Sequence, residues 1–259
     1  MKIDLHNHTT LCNHATGTIQ SYVEQAIKNG TKHYGFSDHA PMDFEPEYRM
    51  SFEAMAQYER DVKEAKQRYE KDIEILLGYE VDYLKGYLDE RVLNADVDYL
   101  IGSVHFIDKW GFDNPEFIGK YADKDIDEIW HEYFDTLVEM IQTNKFDIVG
   151  HIDLIKVFKY LPKTNIIDIA KESLKEIKKA DMTLELNSAG FRKPIGEAYP
   201  SLDILKEAYR LGIDITFGSD AHATEQVGLN SQKILNMAKD VGYTKAAIFR
   251  KREKILIDF

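Results

Sequence analysis

Residues 2–10 read Lys-Ile-Asp-Leu-His-Asn-His-Thr-Thr. A short apolar run ends at Leu5 and gives way to two histidines, His6 and His8. On an extended segment a spacing of two points both imidazoles to the same side, where two nitrogens can converge on one metal ion. The same turn bears on the fold. An open doubly wound α/β sheet carries a glycine-rich first turn that brings backbone close to a pyrophosphate. His6-Asn7-His8-Thr9-Thr10 contains no glycine and cannot cradle a ligand that way.

Outward from this turn, apolar runs recur. With the first near 2–5, candidate strands lie near 33–37, 74–79, 98–103, 146–150, 182–187 and 213–218. Several are β-branched or aromatic and are bounded by Gly or Asp. Helical patterns separate them. Trp130, Phe134, Leu137, Val138 and Ile141 share one face, as do Ile166, Ala170, Leu174 and Ile177. Over 51–71, Met55, Tyr58, Val62, Ala65 and Tyr69 form an apolar stripe beneath a charged, solvated face. Seven such alternations predict parallel strands with helical crossovers. No internal repeat or low-complexity linker interrupts them, so the sequence predicts one barrel-like α/β domain over 1–259.

Six of the seven strands end in potential metal ligands. The second ends in Ser37-Asp38-His39, the third in Gly78-Tyr79-Glu80 and the fourth in Gly102-Ser103-Val104-His105. The fifth ends in Gly150-His151 and the seventh in Gly218-Ser219-Asp220-Ala221-His222, while His14 follows His8 in the first loop. In a parallel barrel those ends meet at one face, where active sites sit. The set is His6, His8, His14, His39, Glu80, His105, His151, Asp220 and His222. One zinc-like ion takes about three or four protein ligands, so the set predicts two or three divalent ions with a carboxylate such as Glu80 bridging. Histidine suits zinc, manganese or iron. Closely spaced ions suit in-line phosphoryl transfer, because they activate water and neutralise charge on the attacking and leaving oxygens.

Other residues are read against this set. His131 lies within a helical pattern beside Trp130, and His33 opens a strand at the opposite end; both are expected to be structural. Cys12 is expected to be a small packed residue. A phosphate also needs cations. Arg192, in Asn187-Ser-Ala-Gly-Phe-Arg-Lys-Pro194, follows the sixth strand and is suited to hold phosphate through its guanidinium. Lys156, five residues after His151, is a second candidate.

Composition limits the partners. The formal net charge of −12 repels a phosphate backbone, so polymeric nucleic acid is not an expected partner. A single cysteine permits no intramolecular disulfide, which suits a reducing cytosol. The first residues turn polar after Leu5, and no run approaches the ~20 apolar residues needed to span a bilayer. A cytoplasmic protein with a small phosphomonoester substrate and no membrane partner is the expectation; oligomeric state is left open.

The series Asp4-x-His6-x-His8, His14, Ser37-Asp-His-Ala-Pro41, Gly78-x-Glu-Val-Asp-Tyr83, Asp98-Tyr-Leu-Ile-Gly-Ser-Val-His105, Gly150-His151 and Gly218-Ser-Asp-Ala-His222 resembles the PHP (polymerase and histidinol phosphatase) superfamily. Ser-Asp-His-Ala-Pro, Gly-Tyr-Glu-Val-Asp-Tyr and Ile-Gly-Ser-Val-His-Phe look most like its monofunctional histidinol-phosphate phosphatases. The resemblance runs from Asp4 to His222. It implies a distorted (β/α)7 TIM-like barrel with the metal site at the C-terminal ends of the strands. It further implies one ion on His6, His8, Glu80 and Asp220, a second on Glu80, His105 and His151, and a third on His14, His39 and His222.

The implied reaction is hydrolysis of L-histidinol phosphate to L-histidinol and phosphate, in histidine biosynthesis. Arg192 would stabilise the equatorial phosphoryl oxygens, with Glu80 and Asp220 as the carboxylates of the centre. Asp38 is a candidate to support His39 or to supply a proton to the leaving alcohol. The ammonium and imidazole of the substrate favour an acidic or aromatic mouth, for which Asp43, Glu45, Tyr48, Phe106 and Trp110 are candidates. Three alternatives stand beside this reading. The first is a phosphatase or phosphodiesterase of the same superfamily acting on a nucleotide, an oligonucleotide end or phosphotyrosine. The second is an amidohydrolase, against which Glu80, His14 and His39 argue. The third is a metal-binding protein without catalysis.

Overall fold

The computed structural model describes residues 1–259. All seven apolar runs form strands. In chain order the strands are β1 (Ile3–Asp4), β2 (His33–His39), β3 (Glu74–Asp82), β4 (Tyr99–Ser103), β5 (Phe106–Ile107), β6 (Trp110–Gly111), β7 (Ile148–Val149), β8 (Thr183–Asn187), β9 (Ile215–Gly218), β10 (Lys245–Arg250) and β11 (Glu253–Asp258). Seven pair in parallel in the order β1-β2-β3-β4-β7-β8-β9. The two edges then meet. Leu5 N donates to Phe217 O at 2.8 Å and Asp220 N to His6 O at 2.7 Å, closing β1 onto β9 as a barrel.

The connections are helical. They include α1 (Ile19–Lys28), α2 (Met55–Arg68), the single turn α3 (Glu90–Leu93), α4 (Ile126–Gln142), α5 (Ile166–Lys179), α6 (Leu202–Arg210) and α7 (Ser231–Val241). Their limits follow local chemistry. Thr18 and Ser21 cap α1 reciprocally, and Gly242 closes α7 with φ 119°. The apolar face of α4 buries Trp130, Tyr133, Phe134 and Leu137 in the core. Burial of each such side chain contributes roughly 1.5–3 kcal/mol. His131 lies on the opposite, exposed face of α4. His33, at the start of β2, pairs with Glu74 at 2.7 Å, at the end of the strand away from the ligand cluster.

The barrel interior is tight. The Tyr99 ring crosses it, and Tyr99 Oη donates to Leu5 O at 2.6 Å. A Cβ on Gly35 or Gly78 would collide with that ring, so glycine is what lets β2 and β3 pass Tyr99.

Two hairpins lie outside the sequence expectation. The β5–β6 hairpin has two residues per strand, too few to show alternation. The β10–β11 hairpin packs Ala246–Phe249 against β9, and Thr216 Oγ1 donates to Ala247 O at 2.9 Å. Its run Lys245-Ala-Ala-Ile-Phe-Arg250 is apolar without a period that distinguishes strand from helix. No helix is long and apolar enough to cross a membrane.

Candidate metal centre

Barrel closure brings the strand ends together, and the ligand-type side chains with them. Four clusters have donor atoms within 4.8 Å of one another: His6, His8 and Glu80; Glu80, His105 and His151; His14, His39 and His222; and His8, Cys12 and His222. Glu80 belongs to two of them. Its Oε2 lies 3.3 Å from His6 Nε2, 3.6 Å from His8 Nε2 and 3.1 Å from His39 Nδ1. Its Oε1 lies 2.9 Å from His151 Nε2 and accepts from Ser103 Oγ at 2.7 Å. Asp220 Oδ1 stands 3.3 Å from His8 Nε2. Asp220 has φ 51°, a left-handed conformation that aspartate tolerates better than most residues.

The donor set fits divalent metal. The imidazole nitrogens His6 Nε2, His8 Nε2, His39 Nδ1, His151 Nδ1 and His222 Nε2 are buried without a hydrogen-bond partner. Buried polar atoms are ordinarily satisfied, and these bare ring nitrogens beside the buried carboxylates of Glu80 and Asp220 suit coordination of divalent cations. Cys12 has donors near it in His8 and His222. Its thiol donates to Thr9 O at 3.1 Å and burial pushes it upward, so it stays a packed thiol rather than a thiolate.

Electrostatics follow from the packing. Burial acts against the charged form of every group, yet the imidazoles hold the Glu80 carboxyl well below the usual range. Burial would likewise lower His6, but Glu185, Glu80 and Asp220 hold it well above the ordinary imidazole value. His39 and His222 are held well below it, first by burial.

Behind the ligands stand carboxylates that fix them. Glu185 Oε1 accepts from His6 Nδ1 at 2.7 Å, and Oε2 accepts from His151 N at 2.8 Å. A Cβ on Gly218 would strike the Glu185 carboxylate, so glycine makes room for it. Asp82 accepts from His105 Nδ1 and pairs on its other oxygen with Arg49. Sequence reading assigned no role to Glu185, Asp82 or Arg49. A signal existed for Glu185, since Thr-Leu-Glu-Leu-Asn over 183–187 places a charge on the same strand face as Asn187. Replacing Glu185 by Gln is expected to weaken metal binding about 10- to 100-fold, the usual cost of losing a carboxylate behind a ligating histidine. Competition against a chelator measures this; unchanged affinity would remove Glu185 from the centre.

The centre floors a cavity of about 500 Å3. Of the expected substrate contacts, Arg192, Phe106, Glu45 and Tyr48 line it, together with Arg49, Asp113 and Lys193. Arg192 Nη2 donates to Ser219 O and Asp220 O, both at 2.9 Å, which leaves Nη1 without a protein partner.

Four expectations need correction. Lys156 does not reach the mouth. It is buried, with Nζ on Ala198 O at 2.7 Å, Asp153 at 2.8 Å and Glu197 at 3.0 Å, because a buried ammonium requires charge partners. Asp43 is exposed and off the cavity wall. Trp110 turns away on the β5–β6 hairpin and packs edge-on against Tyr121 at 4.8 Å. Asp38 is fully buried, accepting from Thr9 Oγ1 and from His39 N at 2.9 Å, and faces His8 Nδ1 at 3.3 Å. It supports a ligand and has no path to a leaving group.

Comparison with known proteins points the same way. The profile of the PHP domain matches residues 4–189. A Deinococcus radiodurans protein named "Probable histidinol-phosphatase" is 35% identical, over 96% of this chain and 97% of its own length. The Histidinol-phosphatase of Bacillus subtilis is 32% identical, over 88% of this chain and 96% of its own. In fold, the chain is similar to the histidinol phosphate phosphatase of Lactococcus lactis, crystallised with zinc, L-histidinol and phosphate. The TM-score is 0.81, with 24% identity and 98% of each chain covered.

Proposed function

This chain belongs to the PHP domain family, and from that premise we propose that it hydrolyses L-histidinol phosphate to L-histidinol and phosphate, as a metal-dependent phosphomonoesterase of histidine biosynthesis. The carrying observation is the ligand cluster around Glu80 at the floor of a cavity that also presents Arg192. The names of the relatives support the same substrate. We read residues 1–259 as one catalytic domain, with two or three ions on the nine ligand-type residues.

Bound divalent ions would activate water and neutralise phosphoryl charge. The chain does the rest. Glu80 and Asp220 supply negative charge that holds cations at the strand ends. Glu185 and Asp82 fix the rings of His6 and His105, so that their Nε2 atoms face the centre. Arg192 is braced by two carbonyls on the cavity wall, where its fixed positive charge would stabilise a phosphoryl oxygen. A cavity of about 500 Å3 suits a small ester. Glu45 and Asp113 on its wall give a cationic leaving group favourable charge, and Phe106 and Tyr48 give it aromatic surface.

The test is a phosphate-release screen over small phosphomonoesters with native metal retained. Histidinol phosphate is expected to show the highest kcat/KM; a nucleotide or phosphotyrosine well above it would overturn the substrate. Arg192→Ala removes a charge-assisted contact worth roughly 1.5–3 kcal/mol, so kcat/KM is expected to fall about ten- to hundredfold. The loss should be similar for every ester, because phosphate is common to all. Loss confined to histidinol phosphate would make Arg192 a contact to the leaving group instead.

A further inference from the structure

Burial of Lys156 removes the second cation that sequence reading offered for the phosphate. The cavity wall supplies another. Arg49 follows β2 on the segment that forms one rim of the cavity, whereas Arg192 approaches from the segment after β8. Arg49 is only 4% exposed, yet it lines the cavity.

Its guanidinium is held in place from one side. Nε donates to Glu45 O at 3.0 Å, and Nη1 pairs with Asp82 Oδ2. Asn13 Nδ2, one residue before His14, donates to Arg49 O at 3.0 Å, which ties the backbone of this rim to the first loop. Nη2 makes no hydrogen bond within the protein, and it is not among the sealed polar atoms. The remaining donors therefore face the cavity. Arg192 is likewise braced, with Nη2 on two carbonyls, but its Nη1 is sealed from the surface, whereas Arg49 Nη2 is not. The third cation on the wall, Lys193, is exposed and lacks any such brace.

We infer that Arg49 is the second phosphate-binding cation of this site, approaching the phosphoryl group from the segment after β2 while Arg192 approaches from the segment after β8. This rests on the phosphatase reading. A guanidinium fixed before the ligand arrives loses little side-chain entropy on binding, so its contact is retained as affinity. Pairing with Asp82 does not remove its use. Asp82 shares its charge between Arg49 and His105, and a planar guanidinium carries donors beyond those two bonds.

The test is calorimetric titration of metal-loaded protein with inorganic phosphate, with metal per chain measured on the same samples. Arg49→Gln is expected to weaken phosphate binding about tenfold or more, with metal content unchanged. Arg49→Lys, which keeps the charge but not the planar fork, is expected to lose a few-fold. The double variant with Arg192→Ala should bind phosphate more weakly than either single one. Unchanged phosphate affinity in Arg49→Gln overturns the inference. So does a loss of phosphate binding matched by loss of metal in both Arg49 variants, since the residue would then act only through Asp82 and His105. If Arg49→Gln does not fold, unchanged phosphate affinity in Arg49→Lys overturns it equally. Inorganic phosphate has no leaving group, so a different preferred ester would overturn histidinol phosphate as substrate and leave this result standing.

Discussion

Glu80→Gln is expected to lower kcat/KM at least about a hundred- to thousandfold, the scale on which a fixed charge stabiliser is lost from an active site. The substitution keeps shape and volume while removing one charge. Glu80 is 1% exposed, and its two oxygens face different partners. Oε2 is turned to His6, His8 and His39, and Oε1 to His105, His151 and Ser103. An amide can present a carbonyl to one side only. Its NH2 would face bare imidazole nitrogens on the other, where a cation is needed. Two ion positions should therefore weaken together, and elemental analysis should show fewer ions per chain than in the parent. The barrel should survive, because β3 is held by its ladders to β2 and β4 rather than by this side chain. Near-normal turnover in a folded, fully metallated Glu80→Gln protein would show that Glu80 does not bridge.

The barrel was legible because each strand announces itself by a buried apolar run, and because its ligands sit at one end of those runs. His39, Glu80, His105 and His151 follow directly from strand position; the clusters around Glu80 and around His14, His39 and His222 resemble the implied groups, but Asp220 joins none of them and Cys12 stands with His8 and His222. What stands behind the ligands was not legible. His6 and Glu185 are separated by 179 residues, so no local spacing marks their bond. Lys156 misled for a related reason. Position along the chain placed it near the mouth, but the deciding partners, Ala198 and Glu197, come from a distant loop folded over it. Trp110 misled because a hairpin of two-residue strands reverses the chain just after His105. Distance to the centre along the chain is thus a good guide for residues ending a barrel strand. It is a poor guide for loop residues, whose direction depends on remote packing.

Removing the metal with a chelator is expected to bring turnover to background, and to leave a protein whose stability falls as pH rises from 7 to 10. Without ions the imidazoles of His8 and His105 carry protons in their place. Burial opposes this, but for His8 the nearby carboxylates of Asp220, Asp38 and Glu80 outweigh it and raise the group to about 9. For His105 burial is likewise outweighed by Asp82, and the group rises to about 10. Both lie above the unfolded value near 6.5. Each therefore contributes stability that is fully present below about 6.5 and is lost as pH rises through about 9 to 10. His39 and His222, held neutral by burial, act in the opposite direction, but only below their unfolded value. They do not disturb the window from 7 to 10. Ions must displace the protons on His8 and His105, so metal affinity should rise with pH. The loaded protein should accordingly show a flatter dependence than the chelated one. Thermal unfolding of both forms across this window, with more than one ion per chain in the loaded form, is the measurement. Chelated protein that gained stability between pH 7 and 10, or that kept its turnover, would show that these histidines and carboxylates are not a metal centre.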